Sequence, residues 1–92
     1  MLKLFLQIWN EREHVSQLSG KPLFYPNHLK WHWQFAHILG KNVAPKWKMN
    51  KENIILVTPE EHEKQEEHPA FLELQLEMKS KYFKQFGIKK TI

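Results

Sequence analysis

The chain contains no cysteine, and in a sequence this short that absence restricts the fold more than any residue present. Small domains have little interior for their surface and usually compensate with disulfides or a structural metal. Without thiols there is no disulfide framework, no cysteine zinc ribbon and no cysteine nucleophile. The 92 residues must therefore rely on one apolar core, and the chain reads as a single domain over 1–92. The same composition suits a reducing compartment, so a cytoplasmic location is expected. The longest apolar run, Ile54–Val57, is far below the about 20 residues that cross a bilayer. The start, Met1-Leu2-Lys3-Leu4-Phe5-Leu6-Gln7, lacks the length and cleavage site of a secretory signal. No membrane partner is expected.

Charge is unevenly distributed. Lysine and arginine total 14 against 10 acids, a net +4, and every acid is glutamate. Residues 41–51 hold Lys41, Lys46, Lys48 and Lys51 with no acid, whereas residues 60–67 hold five glutamates and one lysine. A basic loop beside an acidic helix suggests a polyanion held near a metal or a general base. Plain solvated surface gives the same pattern.

The order of elements follows from periodicity and punctuation. Leu2, Phe5, Leu6, Ile8 and Trp9 give a short amphipathic helix from Leu2 to about Arg12. Ser19-Gly20-Lys21-Pro22, flanked by apolar residues, reads as a strand, a tight turn and a return. Trp31 to Leu39 alternates large apolar with polar or small residues, which predicts a half-buried strand with Trp31, Trp33 and Phe35 on one face. A loop interrupted by Pro45 follows, then the short buried segment Ile54–Val57. Thr58-Pro59-Glu60-Glu61 is a helix start, with a threonine cap, proline in the first turn and glutamates at the positive end of the dipole. That helix is predicted to run to about Glu67. Pro69 restarts the chain into a C-terminal helix over about 69–87, with apolar residues from Phe71 to Phe86 and Gly87 as its cap. The fold class is α+β.

Three residues stand where these elements place chemistry: His37 at a strand end, Asn53 before the buried segment, and His62 near the start of the capped helix. With Phe35-Ala36-His37-Ile38-Leu39, Glu52-Asn53-Ile54-Ile55-Leu56 and Thr58-Pro59-Glu60-Glu61-His62 in this order, the chain resembles the HNH nucleases of the ββα-metal fold. The spacing of nine positions from Asn53 to His62 and sixteen from His37 to Asn53 agrees with that family. The resemblance covers about residues 12–68. It extends to the two Cys-x-x-Cys pairs that bind a structural zinc in many members. Here Ser16-Gln17-Leu18-Ser19-Gly20 and Thr58-Pro59-Glu60-Glu61 occupy those places, so no structural zinc is expected.

The resemblance implies a DNA endonuclease that uses a divalent ion (Mg²⁺, Mn²⁺, Ni²⁺ or Zn²⁺) to nick or cut both strands. An imidazole, with an ordinary pKa near 6.5, is suited to take a proton from water at neutral pH, and the family assigns that role to the position of His37. His62 matches a metal ligand. Glu66, four positions on and so on the same face of a continuing helix, is a second ligand, with Glu63, Glu67 and His68 as nearby competitors. Asn53 orients the base through its side chain or backbone. Lys41, Lys46, Lys48 and Lys51 neutralise phosphates without reading sequence, and Trp47 between two of them is placed to touch DNA, while Trp31 and Trp33 are expected in the core. One departure is Ala36, where the family carries a ligating Asp or His. His62 and Glu66 with water, or His32 or Gln34 from the same strand, are the available replacements. The alternative is a catalytically inactive module that binds DNA or a protein. A protein partner or homodimer would supply any sequence specificity. The size and lysine content suit a phage or bacterial protein.

Overall fold

Leu4, Phe5, Ile8 and Trp9 recur at helical spacing. In the computed structural model, which describes residues 2–40 and 42–86, Leu2–Glu11 form helix α1 and bury Ile8 and Trp9. Just beyond it Arg12 ties the N-terminal segment down. Its Nη1 donates to the Ile54 carbonyl and to the Gln17 side chain, and its Nη2 donates to the Lys51 carbonyl at 2.7 Å.

The predicted strand, turn and return over 13–23 is a tight turn closed by one bridge, Val15 opposite Pro22. Ser16 N–H donates to Lys21 O at 2.8 Å, and Leu23 N–H to His14 O at 3.2 Å. Gly20 has φ +81°, a conformation that a Cβ would strain. The turn docks on the sheet through Gln17. Its N–H donates to Leu56 O at 2.7 Å, and its side-chain oxygen accepts from Leu56 N–H at 2.9 Å.

The long strand expected over Trp31–Leu39 is shorter. Residues Trp31–Gln34 form a 3₁₀ turn, and only Phe35–His37 are extended as β1. The cause is Gln34, which is buried and spends its carboxamide on backbone groups. It accepts from Phe24 N–H at 2.7 Å and donates to Phe24 O at 3.1 Å and Trp31 O at 3.3 Å. A 3₁₀ turn repeats every three residues, so Trp31 and Gln34 face inward and Trp33 faces out.

Strand β2, Ile54–Leu56, pairs antiparallel with β1 in the register Phe35↔Leu56, Ala36↔Ile55, His37↔Ile54. This sheet is the middle layer of three. One face, with Phe35, Ile54 and Leu56, packs on Ile8, Trp9, Leu23 and Trp31. On that side Phe5 stacks on Phe35 with ring centroids 4.2 Å apart. The other face, with Ala36, Ile55 and Val57, packs on Phe71, Met78 and Tyr82 from helix α3, Pro69–Phe86. The expected cap at Gly87 lies outside the described residues.

Helix α2 spans Pro59–Glu63 and does not reach Glu67. Its last α-type bond is Lys64 N–H to Glu60 O, after which Gln65–Glu67 form a separate 3₁₀ turn. Two effects stop it. Pro69 disfavours α geometry at His68, and the glutamates three and four apart repel along a continuous helix. No helix among the described residues is long and apolar enough to cross a membrane.

Candidate functional site

His37 ends β1 with its ring against the loop that follows. Its Nε2 lies 2.9 Å from the Lys48 carbonyl oxygen. A carbonyl only accepts, so Nε2 carries a proton, and in the neutral ring Nδ1 holds the lone pair. His62 is arranged in the opposite sense. Its Nδ1 donates to the Trp33 carbonyl at 2.7 Å, which leaves Nε2 as the free nitrogen. Ligating histidines are commonly held this way, with one ring nitrogen on a backbone carbonyl and the other aimed at the metal.

The two anchors lie on either side of β1. Trp33 precedes the strand, and Lys48 meets its last residue. The cleft beside His62, about 340 Å³, is lined by Trp33, Pro59, His62 and Glu63, and His37 is not among its walls. The structure thus fixes both imidazoles but does not place them in one pocket.

Asn53 is completely buried. Its Oδ1 accepts from Leu39 N–H at 2.9 Å, and its Nδ2 donates to Leu39 O at 2.9 Å and Trp47 O at 3.4 Å. Its own carbonyl accepts from Ile38 N–H at 2.7 Å. Asn53 makes no bond to His37. It clamps the two ends of the loop whose Lys48 carbonyl holds the His37 ring, so its action on the base is indirect.

Glu66 does not share a helix face with His62, because α2 ends at Glu63 and Glu66 lies on the following 3₁₀ turn. Ala36 is fully buried against the α3 side of the core. Gln34 is likewise buried and committed to backbone groups. His32 is exposed on the 3₁₀ turn before β1. Among the described residues no group of three or more His, Cys, Asp or Glu side chains is placed to hold a metal ion. A closed all-protein site therefore does not fit these residues. His62 and the Glu63 side chain line one cleft.

The basic loop divides its residues. Trp47 is 7% exposed and packs edge-on against Tyr82, with centroids 5.1 Å apart. The expectation that it touches DNA is therefore corrected: the 3₁₀ turn Pro45–Trp47 turns the indole inward and the flanking lysines outward. Lys46 sits over the Phe86 ring, its Nζ 5.2 Å from the centroid. Lys51 pairs with Glu11 at 2.8 Å, and Lys48 is exposed. Lys41 lies outside the described residues. The tryptophan left on the surface is Trp33, 53% exposed, where a core position was expected. A 3₁₀ reading of Trp31–Gln34 would have found it, since Trp31 and Gln34 stand three apart.

The positions matched to the ribbon cysteines converge on one hydrogen-bonded cluster. Ser16 Oγ accepts from Leu18 and Ser19 N–H, each at 3.1 Å, and donates to Glu61. Glu61 also accepts from Thr58 N–H at 2.9 Å, while Thr58 Oγ1 accepts from Glu61 N–H at 3.1 Å, a reciprocal capping box. Partial burial alone would raise the Glu61 pKa, but hydrogen bonds from Ser16, Ser19 and Thr58 outweigh it and hold the carboxyl below its ordinary value. A depressed folded-state pKa contributes stability that is present above the unfolded value and lost as pH falls through the folded one. Stability should therefore drop below about pH 4.5 through this group. Urea unfolding as a function of pH checks this: Glu61→Gln should flatten that acid limb, and an unchanged limb would remove Glu61 from it.

Comparison with protein-family models, with characterised proteins and with solved structures finds no match to this chain.

Proposed function

We propose that the chain is an HNH-type endonuclease of the ββα-metal class that hydrolyses DNA phosphodiester bonds with a divalent ion. The observation that carries this reading is the opposite tautomers of two imidazoles around one strand–loop–strand–helix unit. His37 has a lone pair on Nδ1 to take a proton from water, and His62 has one on Nε2 to bind a cation. The meeting of Ser16, Ser19, Thr58 and Glu61 adds support, because a zinc ribbon needs the same four positions to converge.

Each residue then has a definable task. Lys48 O keeps the His37 proton on Nε2, so Nδ1 is the base. Asn53 holds the loop that carries that carbonyl. His62 and Glu63 would hold the ion. When bound, it neutralises charge on the scissile phosphate and the leaving oxygen. Lys48, exposed beside the base, attracts the phosphate backbone.

Supercoiled plasmid, incubated with the protein and Mg²⁺, Mn²⁺, Ni²⁺ or Zn²⁺ in turn, tests the reading. Relaxed or linear product that EDTA suppresses is expected. Intact plasmid under every ion, with the protein folded, would overturn it. A second reading, a non-catalytic module that binds DNA or a protein, is favoured by the burial of Ala36 and the displacement of Glu66 onto a separate turn. Such a module would retain plasmid in a mobility shift without cutting it.

A further inference from the structure

Of the four tryptophans, Trp9, Trp31 and Trp47 are core residues, and Trp33 is not. An indole left in water forfeits roughly 25 cal/mol for every Å² that burial would cover. Its placement is nevertheless well defined. The turn that aims the ring outward also presents the Trp33 carbonyl to His62 Nδ1, so indole and imidazole line the same cleft. A second cleft, about 140 Å³, shares Trp33, Pro59 and Glu63 and adds Phe24 and Lys30. Phe24 is 40% exposed and carries His28 stacked on it, with centroids 3.8 Å apart and planes 5° from parallel. His28 Nδ1 in turn accepts from Lys30 N–H at 3.0 Å. Loop 24–33 thus presents Phe24, Trp33 and Lys30 to one cleft.

The nuclease reading supplies DNA as the occupant, and charge sets its path across the cleft. From His14 to Lys51 the sequence contains Lys21, Lys30, Lys41, Lys46, Lys48 and Lys51 and no acidic residue. Of these, among the described residues, Lys30 is the one that lines the cleft, and the facing wall carries Glu60 and Glu63. A phosphate chain is repelled by that wall and follows the Lys30 side, which leaves its bases over Trp33 and Phe24. A base paired inside a duplex has both faces stacked on its neighbours. Only an unpaired base offers a face to an aromatic ring.

We infer that Trp33 and Phe24, with Lys30, form a stacking platform for an unpaired stretch of DNA beside His62. This rests on the nuclease reading and names its substrate as a single-stranded or opened strand. The test is binding of the full chain, in EDTA, to a fluorescein-labelled oligothymidylate of about 16 nucleotides and to a duplex of the same length. EDTA separates binding from cleavage. The single strand should bind more tightly and quench tryptophan emission. Trp33→Ala should lose that quenching and about tenfold or more in affinity, with circular dichroism unchanged because the ring is exposed. Trp33→Phe should keep most of the affinity. Unchanged single-strand affinity in Trp33→Ala, or equal affinity of the native chain for duplex and single strand, overturns the platform. A protein that never cuts but binds through Trp33 would lose the nuclease reading and keep the platform. A working nuclease indifferent to Trp33 would do the reverse.

Discussion

His37→Ala is expected to lower divalent-dependent plasmid cleavage by about 10²–10⁴-fold, the range over which a positioned general base accelerates proton transfer. The variant should fold, because the His37 ring is only partly buried and its bond is to a loop carbonyl rather than to the core. His62→Ala separates the two roles. It should raise the metal concentration needed for half-maximal cleavage, whereas His37→Ala should leave that concentration unchanged and lower the plateau. Cleavage by His37→Ala at the native rate would take this residue out of the mechanism. Loss of cleavage together with loss of near-ultraviolet dichroism would instead mark the histidine as structural.

Asn53→Ala should have the largest effect on stability. The side chain is fully buried and satisfies both the N–H and the C=O of Leu39. Truncation strands those groups in the interior and leaves a small void as well. A buried unsatisfied donor or acceptor costs about 1–3 kcal/mol, so a loss of about 3 kcal/mol is expected. For a domain of this size that corresponds to roughly 15 °C in Tm. Asn53→Asp should not restore it, because a carboxylate has no donor for Leu39 O and meets it with like charge. A melt shifted by less than about 2 °C in Asn53→Ala would show that water or relaxation satisfies Leu39, and the clamp would then be dispensable.

Legibility in the sequence followed the range of the interaction. The Thr58–Glu61 capping box lies within four residues and could be read directly. So could the amphipathic stripe of α1 and the restart at Pro69, since period and punctuation are local. Asn53 was legible by its spacing, but its partners Leu39 and Trp47 were not, because no local rule says which carbonyls a loop turns inward. The exchange of Trp33 and Trp47 has one cause. Alternation of apolar and polar residues is shared by a half-buried strand and by a 3₁₀ turn leading into one. The residue that decides between them is Gln34, a polar side chain buried to satisfy Phe24 and Trp31 backbone groups. Hydropathy gives no signal for such a residue. The early end of α2 was legible only in part. Pro69 sets a limit, but the break at Lys64 reflects the summed repulsion of neighbouring glutamates and the start of a new turn. That break removes Glu66 from the face of His62 and leaves Glu63 as the carboxylate that lines the cleft with it.

The stitching of the N-terminal segment to the sheet has a consequence for how the chain acquires its shape. Arg12 reaches Ile54, Gln17 reaches Leu56 and Ser16 reaches Glu61, separations of 42, 39 and 45 residues. Closing spans of that length costs more entropy than bringing β1 to β2 across the intervening loop. The strand pair is therefore the natural early structure, with α1 and its turn arriving late. A growing chain holds Arg12, Gln17 and Ser16 without these partners until Ile54, Leu56 and Glu61 have been synthesised. Until β2 is made, the apolar side of α1 lacks part of its cover and is open to association.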